Sequence, residues 1–97
     1  MNNWLTEEVR ELFQAVAKLN TEEECRLFFE DVCTVREIKD IAQRLRVAKL
    51  LEQKLSYTAI NRQTGVSTAT ISRVSRCLDY GSGGYRLVLD RREEAGE

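Results

Sequence analysis

Histidine and proline are both absent from this 97-residue chain, and each absence excludes something. Without histidine there is no side chain that ordinarily titrates near neutrality, and a zinc site would have to be built from cysteine and carboxylate alone. The three cysteines, Cys25, Cys33 and Cys77, are odd in number, widely spaced and form no CxxC pair. They read as reduced, packed thiols rather than metal ligands or disulfides. No paired-carboxylate pocket or nucleophile elbow is evident, and acids such as Glu22, Glu23 and Glu24 look like helix-start charges, so no enzyme, cofactor or metal is expected. No apolar run approaches a bilayer span, and the acidic, interrupted N-terminal segment does not resemble a signal peptide. A cytoplasmic protein with no membrane partner is the expectation.

With proline missing and β-branched runs few, nothing interrupts long stretches of Glu, Lys, Arg, Leu and Ala. Apolar residues make up 42% of the chain, enough for one small globular domain spanning 1–97, and that domain is expected to be all-α. The net charge of −1 hides a strong asymmetry. Residues 1–35 hold three Lys/Arg against eight acids, a local −5; residues 36–76 hold nine against three, a local +6; the rest carry −2. Phosphate binding follows the local field rather than the whole-chain charge, so the basic middle block suits a nucleic-acid partner.

Within that block, residues 57–76 read YTAINRQTGVSTATISRVSR, two short helices joined at Gly65. This is the pattern of a helix-turn-helix. Ile60, Val66, Ile71 and Val74 are spaced to pack the two helices together, and Ser67 is placed to cap the second. If Ile71, Val74 and Leu78 face inward, a 100° rotation per residue turns Ala69, Ser72, Arg73 and Arg76 outward. That stripe is small, polar and cationic, as a major-groove reader requires. Arg73 and Arg76 suit guanine edges, and Thr68, Ala69 and Thr70 suit thymine methyls or water-bridged bases. Arg46, Lys49, Lys54 and Arg62 are candidates for phosphate contacts that set register. Asn61 is unusual: this close-approach position commonly holds a small residue. Either the first helix stands off, or the amide finds a partner in the turn.

Elsewhere the punctuation is helical. Thr6-Glu7-Glu8 starts a helix carrying Leu5, Val9, Leu12, Phe13, Val16 and Leu19. Thr21 with Glu24, and Thr34 with Glu37, form capping-box signatures for two more. The second carries Leu27, Phe28, Phe29 and Val32. The third shows Val35, Ile38, Ile41, Ala42, Leu45 and Ala48 in register and is predicted to reach Leu51 or Glu52. The reader helices are predicted at about 56–63 and 67–78. Gly81 to Gly84 lacks the lysine and hydroxyl of a phosphate loop and reads as a connection. Tyr85, Leu87, Val88 and Leu89 suggest a short last helix, and 91–97 a frayed tail. The first two helices carry more large apolar residues, Trp4 among them, than so small a monomer covers easily. A twofold partner would bury them; a compact monomer is the competing reading.

The segments TVREIKDIAQRLRVAKLL and LSYTAINRQTGVSTATISRVSRCLDYGSGGY together resemble the Trp repressor superfamily, in particular its YerC/YecD-type bacterial branch. The resemblance covers Thr34 to Leu78 well, with the GSGGY string beyond. It implies a Trp-repressor-like bundle of about six helices in an intertwined homodimer: dimerisation helices over 1–33, a long helix plus reader over 34–78, and a loop, short helix and tail over 79–97. By position it places Thr68, Ala69, Thr70, Ser72 and Arg73 near DNA. It also implies an effector site, since Thr34, Arg44 and Arg73 match residues that hold the indole in tryptophan-sensing relatives.

The pattern then departs. Those relatives have glycine after the second arginine, where this chain has Val74; an expected serine is Cys77, and an apolar pocket residue is Asp31. A valine side chain fills the space the glycine leaves, and overpacking such a site typically costs ~1–3 kcal/mol. The expectation is a sequence-specific DNA-binding regulator, a repressor that does not respond to tryptophan, acting on double-stranded DNA as a homodimer. Arg44 and Arg73 stay candidates for another small molecule, with a solvated or phosphate-facing Arg44 as the alternative. Two other functions stand beside it: a DNA-tethering subunit of a replication or transposition assembly, and a helical protein-interaction module.

Overall fold

The computed structural model describes residues 3–94, with side chains to residue 91. Six helices account for most of it: α1 Glu7–Ala17, α2 Glu22–Val32, α3 Val35–Glu52, α4 Tyr57–Thr64, α5 Thr68–Tyr80 and α6 Gly84–Glu94. No strand occurs among the described residues.

Each start follows from local chemistry. The Thr6 hydroxyl accepts the Val9 amide at 3.2 Å, and Thr21 accepts that of Glu24 at 3.0 Å. Glu24 reaches back one residue further than a standard box, accepting the Asn20 amide at 2.9 Å. Thr34 and Glu37 form the full reciprocal box, at 3.1 and 2.8 Å. Acids fill the first turns of α1 and α2, where the helix dipole favours them.

The chain divides into two compact units, one ending at Ile38 and the other beginning at Lys39. In the first unit, neither α1 nor α2 buries a single residue. Trp4 and Phe13 meet edge to face at 6.2 Å, and Phe28 and Phe29 at 5.4 Å, yet Trp4, Leu12, Phe13, Leu27 and Val32 remain exposed. The second unit has a sealed core of Val47, Ala48, Ile60, Val66, Ile71, Val74 and Leu89. Leu45, Leu50, Leu51, Leu55, Leu78 and Tyr85 pack around it, half-buried. Its closest helix pairings are α4 with α5 and α5 with α6.

Several expectations need correction. Val35 and Ile41 are exposed, while Val47, outside the predicted stripe, is fully buried. The buried strip of α3 shifts along the helix, because the head's core covers only its second half. The last helix continues through Glu94, so the expected tail from residue 91 begins within it; residues 95–97 lie outside the described range. All three cysteines are free, but Cys77 is exposed rather than packed.

Candidate nucleic-acid interface

The turn between α4 and α5 is held by a chain of side-chain bonds. Helix α4 starts where Ser56 accepts the Ala59 amide at 3.1 Å and stops at Gly65, which lies in the left-handed region at φ 76°. An added Cβ at Gly65 would meet nothing within 4 Å, so glycine is needed there for backbone conformation and not for space. Thr64 donates its hydroxyl to the Ile60 carbonyl at 2.7 Å and accepts the Val66 amide at 3.1 Å. Asn61 resolves the open question in favour of a partner: its amide donates to the Val66 carbonyl at 2.8 Å, bridging the turn. The bulkier residue thus becomes a brace.

Ser67 caps α5 as expected, accepting the Thr70 amide at 3.2 Å. Its hydroxyl also donates to Thr70 Oγ1 at 3.2 Å. That pairing takes up part of the Thr70 side chain in the cap. Ile60, Val66, Ile71 and Val74 are all buried, sealing α4 against α5. Behind them, Ala69, Arg73 and Arg76 emerge as the periodicity requires, whereas Ser72, expected to face outward, does so only in part. Ser67, Thr68, Ala69, Arg73 and Arg76 are exposed; Thr70 and Ser72 are half-buried. Arg73 and Arg76, one turn apart, form no ion pair among the described residues. Both guanidiniums are therefore available to an anionic partner.

The phosphate candidates are placed unequally. Arg46 and Arg62 are exposed, and Lys49 is half-buried in the last turn of α3. Lys54 is exposed and is the one described non-glycine residue at positive φ, 69°. There it ends α3 in a Schellman pattern, with its amide on the Leu51 carbonyl at 3.0 Å and that of Leu55 on Leu50 at 3.2 Å.

Among the effector candidates, Thr34 uses its hydroxyl as the α3 cap and belongs to the first unit. Arg44 and Arg73 belong to the second and are exposed. Val74 is 2% exposed, so the side chain that stands in place of a glycine is part of the core. Sequence reasoning passed over Arg86, whose guanidinium joins the ends of two helices. No group of three or more His, Cys, Asp or Glu side chains able to hold a metal occurs among the described residues. No helix there is long and apolar enough to cross a membrane.

Comparison with known proteins agrees with this geometry. The family model described as Trp repressor protein matches residues 7–93. The uncharacterized protein YerC of Bacillus subtilis (strain 168) is 49% identical over 87 residues, covering 90% of this chain and 84% of its own. A crystal structure of a TrpR-like protein from Eubacterium eligens ATCC 27750 superposes with a TM-score of 0.90 at 49% identity, covering 95% of this chain and 96% of that one. A candidate Trp repressor from Staphylococcus aureus gives 0.86 at 46% identity, covering 91% and 88%. The fold, the helix-turn-helix and these relatives converge: the chain belongs to the Trp repressor family, in its YerC-type branch, and is a helix-turn-helix DNA-binding regulator rather than an enzyme.

Proposed function

We propose that the protein is a homodimeric, sequence-specific repressor that does not use tryptophan as its effector. The observation that carries the reading is the outer stripe of α5, exposed at Ala69, Arg73 and Arg76 and without an internal ion pair at either arginine. In a dimer, two such helices would enter successive major grooves ~34–36 Å apart. Arg46, Lys49, Lys54 and Arg62 would hold phosphates, while Thr68, Ala69, Thr70, Ser72, Arg73 and Arg76 face the bases. The exposed apolar residues of α1 and α2 support a second copy as partner, since such helices are rarely stable uncovered.

The effector reading rests on Val74. A side chain already packed between Ile60, Ile71 and the rest of the head's core leaves no opening there for an indole ring. The head is then held ready without ligand. Titration calorimetry with tryptophan should show no saturable heat at micromolar concentration; saturable binding would end this part of the proposal.

Selection of bound sequences from a random DNA pool tests the whole. A palindromic enriched site is the expected result, reporting dimer and reader together. Enrichment of no sequence, with only salt-sensitive affinity for any duplex, would favour a tethering role in a replication or transposition assembly. Absence of DNA affinity would favour a protein-interaction module. Promoter occupancy across a genome separates repression from tethering.

A further inference from the structure

We propose that Arg86, on the last helix, is a positioning residue that sets the angle of the recognition helix by joining the C-terminal ends of α3 and α5. The inference rests on the DNA-binding reading and adds a determinant outside the helix-turn-helix itself.

Gly81 donates its amide to the Cys77 carbonyl at 2.9 Å, and its backbone then turns extended. An added Cβ at Gly81 would lie 2.5 Å from the Cys77 carbonyl oxygen, so the chain can leave the helix this tightly only with glycine. The turn away strands the Leu78 carbonyl, one of the acceptors a helix end leaves without an amide. Arg86 supplies the donor: its Nε reaches that carbonyl at 3.1 Å.

The same guanidinium faces two carboxylates. Its terminal nitrogens lie 3.5 Å from Glu52 and 3.8 Å from Asp79. Glu52 is the last residue of α3, and Asp79 is the penultimate residue of α5. Each acid therefore sits at the negative end of its helix dipole, where a cation is favoured. No basic residue occupies the last turn of α5 to offset this. Without Arg86, two like charges and two like dipole ends would face one another across one cleft of about 340 Å³, lined also by Leu51, Ser75 and Leu78. Lys54 lines the cleft too but makes no ion pair among the described residues. An isolated surface pair would count for little. Here one cation serves three acceptors; Arg86 and Asp79 are half exposed or more, but the Glu52 side chain is only 26% exposed, so screening is incomplete on that side of the cluster.

Geometry turns this clamp into a determinant of binding. From Leu78 back to Thr68 the helix rises about 15 Å, so a tilt of about 5° at the clamped end moves the reading end by about 1 Å. Displacements of that size misalign hydrogen bonds to base edges. Contacts to phosphate tolerate them better.

The test uses the full-length protein and the operator obtained from pool selection. Affinity is measured for wild type, Arg86→Met, Glu52→Gln/Asp79→Asn, and the variant combining all three, over a range of salt concentrations, with thermal unfolding alongside. Arg86→Met is expected to weaken operator binding by about 3- to 30-fold while leaving affinity for random DNA and the salt slope unchanged. In the background lacking both acids, the same substitution should have much less effect; the cycle cancels any general gain in positive charge. If Arg86→Met fails to fold, Arg86→Lys, which keeps the charge but loses the Nε bond, runs the same cycle with a smaller expected loss. An equal loss in both backgrounds would overturn the proposal, as would no loss at all. A salt slope reduced by about one would instead make Arg86 a direct phosphate contact. Wild type binding no DNA would defeat the functional reading itself, before the cycle is reached.

Discussion

The N-terminal unit and the head are built from similar helices, yet they solve burial in opposite ways. Among the described residues, the head closes over seven buried apolar side chains drawn from four elements and the turn before α5. The N-terminal unit carries larger apolar side chains, including Trp4 ahead of α1, Phe13 and Phe28, and buries none of them fully. Apolar content alone therefore does not predict a core. In the head, a tight turn folds two short helices back on each other, so their inner faces meet. In the N-terminal unit the strongest ties are local: caps, an aromatic pair within each segment, and Arg26 held between Glu23 and Glu30. One unit closes a core of its own; the other leaves its largest apolar side chains exposed.

The contrast can be broken most forcefully in the head. Ile71→Ala should destabilise it by about 2–5 kcal/mol, because a fully buried side chain is lost from a core too small to close the gap. Thermal unfolding followed by circular dichroism measures this, and a change below 1 kcal/mol would mean the head's core is not its source of stability.

In the N-terminal unit, Leu12→Ser with Phe13→Ser should act on association instead. Both residues are close to half exposed, at 44% and 49%. The expected result is a dimer weakened by at least about 30-fold in sedimentation, with head secondary structure retained. An unchanged mass would deny that this surface joins two copies.

Two left-handed residues sharpen the comparison at smaller scale. Gly65→Ala should cost about 1–2 kcal/mol, since φ 76° is a conformation that side chains resist. Lys54→Gly should do the reverse, stabilising the head by about 0.5–1 kcal/mol by removing the same strain at φ 69°. It should also reduce the salt slope of DNA binding by about one if Lys54 meets a phosphate. Stability gained with DNA affinity unchanged would leave the lysine without a binding role.

The smallest effect is pH-dependent. Hydrogen bonds from Arg26 hold the Glu23 carboxyl below its ordinary range. An acid whose folded value is depressed adds stability above its unfolded value and loses it as pH falls through the folded one. Glu23→Gln should thus flatten a slight acid-side decline in α2 helicity. The pair lies on the exposed surface of α2, so only a slight change is expected.

What could be read from residues alone was what depends on near neighbours. The caps at Thr6, Thr21, Thr34 and Ser67, the stop at Gly65 and the inward set Ile60, Val66, Ile71 and Val74 all follow from spacings of a few residues. Val47 escaped because its burial depends on which half of α3 the head covers, not on the helix's own period. Asn61 left two outcomes that composition cannot separate; only the position of the Val66 carbonyl decides between them. Arg86 was invisible for a plainer reason. Glu52 lies far from it in sequence, and the Leu78 carbonyl becomes an acceptor only after Gly81 ends the helix. The local geometry of the helix-turn-helix was legible, whereas the Arg86 contacts at the ends of α3 and α5 were not.

The most direct test of the account compares wild type with Arg73→Ala on selected operator and on random duplex DNA under the same salt. The account predicts that operator affinity falls by about 1–3 kcal/mol, with a markedly smaller loss on random DNA. Equal losses on both would reduce Arg73 to a phosphate contact, and no loss on either would contradict the claim that this face of α5 reads sequence.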